Sequence, residues 1–177
     1  MATAERRLQV RSTPVLEHAM TVDARYVVLI GGAGSSKSWS LAQLVIMRLM
    51  AHPGIKIGIS RKTFPALRRT AYELILTLLR QYGIYGGCDH NKSEHTIRYN
   101  GGLLDFFSLD DPEKIKSADY NLIWLEECNE FTYDDFLQLR LRLRATQVSG
   151  LPNQMFLSCN PVDAHSWVAG LCGEISG

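Results

Sequence analysis

The eight residues Gly31-Gly32-Ala33-Gly34-Ser35-Ser36-Lys37-Ser38 constrain this chain more than any other stretch. They follow the apolar run Tyr26-Val27-Val28-Leu29-Ile30 and precede a helix-like pattern from Trp39 to Met50. Strand, glycine-rich turn, Lys-Ser and helix is the order in which a phosphate-binding loop is built. Small residues let backbone N–H groups curl around an anion. The helix N-terminus adds unpaired donors and the positive end of its dipole. The general pattern is G-x-x-x-x-G-K-[ST], and Ser36 stands where the second Gly belongs. Ser is small enough for a close phosphate approach, but a positive φ suits it less well than Gly. The plainer reading is a Gly/Ser turn that ends in Lys-Ser by chance. The strand before it and the helix after it argue for the phosphate loop.

A second group of residues completes a nucleotide site. Leu122-Ile123-Trp124-Leu125 is a short, wholly apolar run, as expected of a central strand buried on both faces. Glu126-Glu127 follows at once, at the carboxyl end of that strand, where ligands bind in open α/β sheets. Phosphoryl transfer needs a carboxylate that holds Mg²⁺, directly or through water, and one that orients or deprotonates the attacking water. Glu126 suits the metal role, together with Ser38, and Glu127 the base. A solvated acidic loop is the alternative. Ser158-Cys159-Asn160 ends a later apolar strand, Met155–Ser158, where a polar residue lies beside the γ-phosphate and senses its loss. A simple turn before Pro161 is the other reading.

The remaining pattern places these motifs on an α/β sandwich with a mainly parallel sheet. Residues 1–24 are polar, with a short helix near Thr13–Met20. A helix from Ser38 to about Ala51 closes at His52-Pro53-Gly54. Ile55–Ser60 alternates as a strand, and Pro65 opens a long helix to about Tyr82. His95–Tyr99 and Leu103–Phe107 flank Asn100-Gly101-Gly102 as an added antiparallel hairpin. Thr132-Tyr133-Asp134-Asp135 opens a helix with an N-cap residue and an acidic first turn.

Composition sets the outer limits. A net charge of +1 over 177 residues means that any nucleic-acid contact comes from a local patch. The densest basic group is Arg61, Lys62, Arg68 and Arg69. A solvated helix face is the plainer reading of it, and a phosphate-tracking role the other. No apolar run approaches the ~20 residues of a membrane span. The N-terminus lacks the apolar core of a signal peptide, so a protein that is not secreted is expected. Four cysteines without C-x-x-C spacing fit reduced thiols. Cys88, His90 and His95 fit no usual zinc spacing.

Taken in order, several segments resemble the ATPase motor domain of the large terminase subunit of tailed bacteriophages. They are Gly31–Ser38, Ile59-Ser60-Arg61-Lys62-Thr63, Trp124-Leu125-Glu126-Glu127-Cys128, Leu139-Arg140-Leu141-Arg142, and Ser158-Cys159-Asn160-Pro161 followed by His165-Ser166-Trp167. The resemblance covers roughly residues 24–170 and implies a P-loop NTPase fold of the ASCE type, with an N-terminal segment 1–24 and an ATPase domain 25–177. It implies ATP and Mg²⁺ as cofactors, with Gly31, Gly32, Ala33, Gly34, Ser35, Ser36, Lys37, Ser38 and Asn160 around the nucleotide. Glu126 would be the Walker B acid, Glu127 the catalytic carboxylate and Ser158–Asn160 the coupling motif. The implied partners are double-stranded DNA, a portal protein, a small terminase subunit and further copies in a ring, with a monomer expected in isolation. The implied location is the cytoplasm of an infected bacterium. The family's C-terminal nuclease would be absent, since the chain shows no later acidic cluster before Gly177.

One departure concerns the arginine that stabilises the transition state. Many relatives carry Arg two positions after the first Gly of the loop, where this chain has Ala33. The charge must then come from elsewhere in the chain or from a neighbour. Arg61 is one candidate, and Arg142 in the series Arg140, Arg142, Arg144 is the other. The bland reading of Leu139–Arg144 is a solvent-facing strand or helix end. Two other functions compete with the motor: a helicase-like P-loop ATPase, and a nucleotide-binding assembly module with little turnover.

Overall fold

The apolar periodicity that marks strands and helices in the sequence is realised in order along the chain. The computed structural model describes residues 8–176. Residues 1–7 of the segment read as 1–24, and Gly177 of the domain read as 25–177, lie outside the described residues. The helices are α1 (Pro14–Thr21), α2 (Lys37–Ala51), α3 (Phe64–Leu67), α4 (Glu73–Gln81), α5 (Pro112–Ser117), α6 (Tyr133–Arg140) and α7 (Trp167–Ser176). The strands are β1 (Tyr26–Ile30), β2 (Lys56–Arg61), β3 (Asp89–Asn91), β4 (Thr96–Tyr99), β5 (Gly102–Ser108), β6 (Leu122–Glu126) and β7 (Gln154–Cys159).

Local chemistry explains several boundaries. Thr13 caps α1 by accepting from the Leu16 amide at 3.1 Å, and Pro14 fills the first helical turn, where its missing N–H is harmless. Thr132 and Asp135 form a reciprocal capping box on α6. The Thr132 amide donates to Asp135 Oδ2 at 2.8 Å, and the Asp135 amide to Thr132 Oγ1 at 3.1 Å. Asn100 and Gly101 both take positive φ, 50° and 75°, the two-residue turn that joins twisted antiparallel strands.

All seven strands form one sheet in the order β1-β7-β6-β2-β5-β4-β3. The first five of these are mutually parallel, and β4 and β3 add antiparallel. The hairpin is therefore only half an addition, because its second strand, β5, is a parallel member beside β2. Apolar side chains pack on both faces. Leu122 and Trp124 join α1, α2 and α4 on one face; Ile123 and Leu125 join Phe136, Leu139, Val168 and Leu171 of α6 and α7 on the other. Strand β6 thus alternates between two cores, which is why its sequence is apolar throughout.

The long helix expected from Pro65 to about Tyr82 is present as one continuous helical run over residues 64–81, but its winding changes within it. Residues Arg68–Tyr72, between α3 and α4, form a π-turn. Its physical cause lies in the site described next. Strand β3 and helices α5 and α7 are additional to the elements expected from sequence. The segment Leu139–Arg144 is the end of α6 and the turns after it, as the bland reading expects.

Candidate functional site

Strand order decides which loops meet. With β7 between β1 and β6, the segments that follow these three strands converge at one end of the sheet. The Gly31 amide donates to Cys159 O at 3.2 Å and ties the start of the glycine loop to the end of β7. A cavity of about 290 Å³ opens there, lined by Gly32–Ser38, Trp39, Glu127, Ser158 and Asn160. Ten of the residues singled out in the sequence therefore share one space: Gly32, Ala33, Gly34, Ser35, Ser36, Lys37, Ser38, Glu127, Ser158 and Asn160. Gly31 stands just behind it.

The loop carries the backbone needed to turn donors inward. Gly34 has φ +83°, and Ser36 sits left-handed at φ 60° and ψ 9° as the N-cap of α2. The position where the general pattern asks for Gly is thus one where Gly would be unstrained and Ser is not. Lys37 Nζ folds back on the loop. It donates to Ser35 Oγ at 2.7 Å, Gly32 O at 3.2 Å and Gly31 O. This holds an ammonium at the cavity wall with acceptors that a phosphate oxygen can replace.

The two consecutive acids part company. Glu127 leaves β6 in a left-handed conformation, φ 50° and ψ 57°, and lines the cavity. Glu126 still belongs to the strand, is 5% exposed, and does not line it. Thr70 Oγ1 donates to Glu126 Oε2 at 2.5 Å from the π-turn. Burial pushes the Glu126 carboxyl pKa up, while the Thr70 hydroxyl, the Arg61 charge and the Ala71 amide oppose that rise. A side chain inserted into the i→i−4 ladder is a recognised cause of a break in a helix, and Glu126 is placed to be that side chain.

Neither arginine candidate lines the cavity. Arg61 forks onto Glu130, with Nε to Oε2 at 3.1 Å and the second arm to Oε1 at 2.9 Å, and reaches Thr70 Oγ1 at 3.4 Å. The Glu130 bonds raise its pKa further, so it stays a cation. Arg142 lies at the other end of the sheet. Its carbonyl accepts from the Tyr120 amide at 2.7 Å, just before β6 begins, and its guanidinium donates to Lys116 O. A five-residue strand separates that point from Glu127, roughly 15–20 Å. Arg144 pairs with Asp119 at 2.5 Å, also at that end. Of the basic group, Lys62 pairs with Asp135 at 2.7 Å, and Arg68 and Arg69 stay exposed on the π-turn.

Several contributors are not evident from the motifs. Trp124 Nε1 donates to Ser158 Oγ at 2.9 Å inside the sheet, linking the acid strand to the strand before Asn160. A second cavity, about 560 Å³, adjoins the loop and is lined by Arg11–Pro14, Gly34, Ser36 and Trp39. The segment before α1 is fixed there by Gln43, which pairs with both the amide and the carbonyl of Arg11 at 3.0 Å. Trp39 Nε1 is buried with no partner among the described residues. Trp124 and Ser158 stand in motifs read from the sequence, but neither the bond between them nor the cavity beside Trp39 left a local trace there.

The donor set suits a hard divalent cation. The hydroxyl of Ser38, the carboxylate of Glu127 and the oxygens of Ser158 and Asn160 are all hard ligands. Glu126 makes no ion pair among the described residues, although it is a nearly buried carboxylate of the kind that normally has a counter-charge.

Comparison with known proteins gives concordant results. A family model described as "Phage terminase large subunit" matches residues 23–171. The PBSX phage terminase large subunit of Bacillus subtilis (strain 168) is 30% identical over 153 residues, which is 85% of this chain and 34% of that protein. The chain therefore spans about a third of that relative's length. The HK97 bacteriophage large terminase superposes with a TM-score of 0.77 at 11% identity, covering 94% of this chain and 37% of the other. The large terminase of a thermophilic bacteriophage, in complex with ATP-gamma-S, gives 0.66 at 18% identity, over 86% and 38%. At these identities the two structures show the shared fold, a mainly parallel α/β sheet with helices on both faces.

Proposed function

The chain belongs to the phage terminase large-subunit family, and on that premise we propose that it is the ATP-hydrolysing part of a DNA-packaging motor. One observation carries the assignment: the glycine loop, Lys37, Glu127 and Asn160 converge on a single cavity although they come from three distant parts of the chain. The loop amides and the N-terminus of α2 receive the phosphates. Lys37 exchanges Ser35 Oγ and the loop carbonyls for phosphate oxygens. The base and ribose take the adjoining cavity beside Trp39.

Glu127 is the group positioned to orient the attacking water and accept its proton. Ser158 and Asn160, tied to β6 through Trp124, stand where loss of the γ-phosphate is felt. Mg²⁺, when bound, would be held by Ser38 and Glu126 and would neutralise charge on the β- and γ-phosphates. The positive charge for the transition state comes from Arg61 once Glu130 releases it, or from Arg142 of another copy. Since Arg142 is a strand's length from its own cavity, it serves only in trans. DNA, a portal protein and a small terminase subunit are the partners this assignment brings with it, in the cytoplasm of an infected bacterium. Among the described residues no helix is long and apolar enough to cross a membrane.

Phosphate release from Mg·ATP, measured against protein concentration, tests this assignment. Lys37→Ala should lose nucleotide binding. Glu127→Gln should keep binding and lose turnover by at least ~10²-fold, the usual contribution of a general base. Turnover in Glu127→Gln equal to the parent would refute the base assignment.

A further inference from the structure

The π-turn at Arg68–Tyr72 places a hydroxyl against the end of β6. Thr70 Oγ1 lies 2.5 Å from Glu126 Oε2, 2.9 Å from Ala66 O and 3.5 Å from Leu67 O. A hydroxyl has one hydrogen to give, and a carboxylate shielded from water is the strongest of these acceptors. Thr70 thus donates to Glu126. Its oxygen in turn faces Arg61, whose arm lies at 3.4 Å while its other donors grip Glu130. The Ala71 amide, from the same turn, also favours the carboxylate. The carbonyl four residues back, Ala66 O, stays within reach of the hydroxyl as in a regular helix, and the π-turn adds a carboxylate from the sheet as a second and stronger acceptor.

We propose that Thr70 is the positioning residue for Glu126: from the π-turn its hydroxyl fixes the orientation in which that carboxylate would meet the cation that accompanies the nucleotide. The proposal rests on the assignment of Glu126 as a Mg²⁺ ligand given above. A carboxylate at a strand end has freedom in its side-chain torsions, and a metal ligand that must first be ordered binds more weakly. Outer partners that orient a ligand typically change metal affinity or activity about 10–100-fold when removed. The arrangement also joins the metal acid to Arg61 and to the helix that bears Arg68 and Arg69. A shift of that helix is therefore felt at Glu126 directly.

Binding of the fluorescent nucleotide mant-ADP, titrated with Mg²⁺ and repeated in EDTA, reads this without turnover. Thr70→Val keeps the shape and removes the hydroxyl; Thr70→Ser keeps the hydroxyl. In EDTA all three proteins should bind mant-ADP alike. With Mg²⁺, Thr70→Val should need ~10–100-fold more metal for the same effect, and Thr70→Ser should track the parent. Thr70→Val with the parent's Mg²⁺ dependence would overturn the proposal. So would Thr70→Ser displaced as far as Thr70→Val, since the side chain would then serve helix packing alone. If Thr70→Val does not fold, Thr70→Ala is judged the same way. Failure of both to fold beside a folded Thr70→Ser would also overturn it, because the hydroxyl would then serve the fold. A parent protein that binds mant-ADP with no response to Mg²⁺ would instead remove the metal assignment of Glu126, and this proposal with it.

Discussion

Ser36 holds φ 60° and ψ 9° at the N-cap of α2 and makes no capping hydrogen bond through its hydroxyl. For a residue with a Cβ that conformation costs roughly 1–2 kcal/mol, and glycine escapes it while losing more entropy on folding. Ser36→Gly should therefore stabilise the protein by up to about 1 kcal/mol, which for a domain of this size raises Tm by about 2–4 °C. Thermal unfolding followed by circular dichroism checks this, and an unchanged or lower Tm would show that the loop stores no such strain. The departure from the general loop pattern was legible in sequence, as was its physical meaning. The partition of Glu126 and Glu127 was not. Sequence alone assigns the two carboxylates separate roles but not separate surroundings; the left-handed turn at Glu127 and the hydroxyl of Thr70, 56 residues before Glu126, create those.

At the scale of elements, the capping box of α6 fixes the segment that follows Glu127. Burial alone would raise the Asp135 carboxyl pKa, but the bonds from Lys62 and from Thr132 outweigh it and hold it below the usual carboxylate range. A depressed folded pKa means that the stabilisation is present above the unfolded value of about 3.9 and lost as pH falls through the folded one. Asp135→Asn should cost about 1 kcal/mol at neutral pH, with the gap to the parent closing below about pH 4. Chemical denaturation at the two pH values measures this, and a gap that stays constant with pH would contradict it. Apolar periodicity made β1, α2, β2, β6 and β7 readable, because each must bury a face or both faces. Strand β3 was not readable: Asp89-His90-Asn91 has no apolar residue, and it pairs at the sheet edge while both ring nitrogens of His90 meet the hydroxyls of Tyr72 and Tyr85. The π-turn was equally hidden, since Thr70 has nothing in its neighbourhood to announce a partner in β6. The fork of Arg61 on Glu130 joins residues 69 apart and leaves no local trace.

At the scale of the whole molecule, the two ends of the parallel sheet carry different chemistry. Glu127, Glu126 and the glycine loop occupy the carboxyl end; Arg142, Arg144 and Lys56 lie at the amino end. A phosphate cavity with no arginine among its described lining residues and an arginine at the far end of the same molecule fit a head-to-tail contact between copies. If Arg142 acts in trans, Arg142→Ala and Lys37→Ala should each be nearly inactive. An equal mixture should recover a measurable part of the parent's phosphate release, because the intact loop of one meets the arginine of the other. No recovery over a range of concentrations would leave Arg61 as the source.

The pairing of β1 with β7 has a further consequence, in time. Tyr26 lies against Met155 and Ile30 against Cys159, so the strand that leads into the glycine loop is completed by one made 129 residues later. Contacts of such high sequence separation close slowly, since the intervening chain must be ordered first. The loop is synthesised early, but it has no wall on the Ser158–Asn160 side until β7 arrives. A nascent chain that ends before β7 is therefore expected to bind ATP poorly, and binding to chains truncated before and after residues 154–159 measures this.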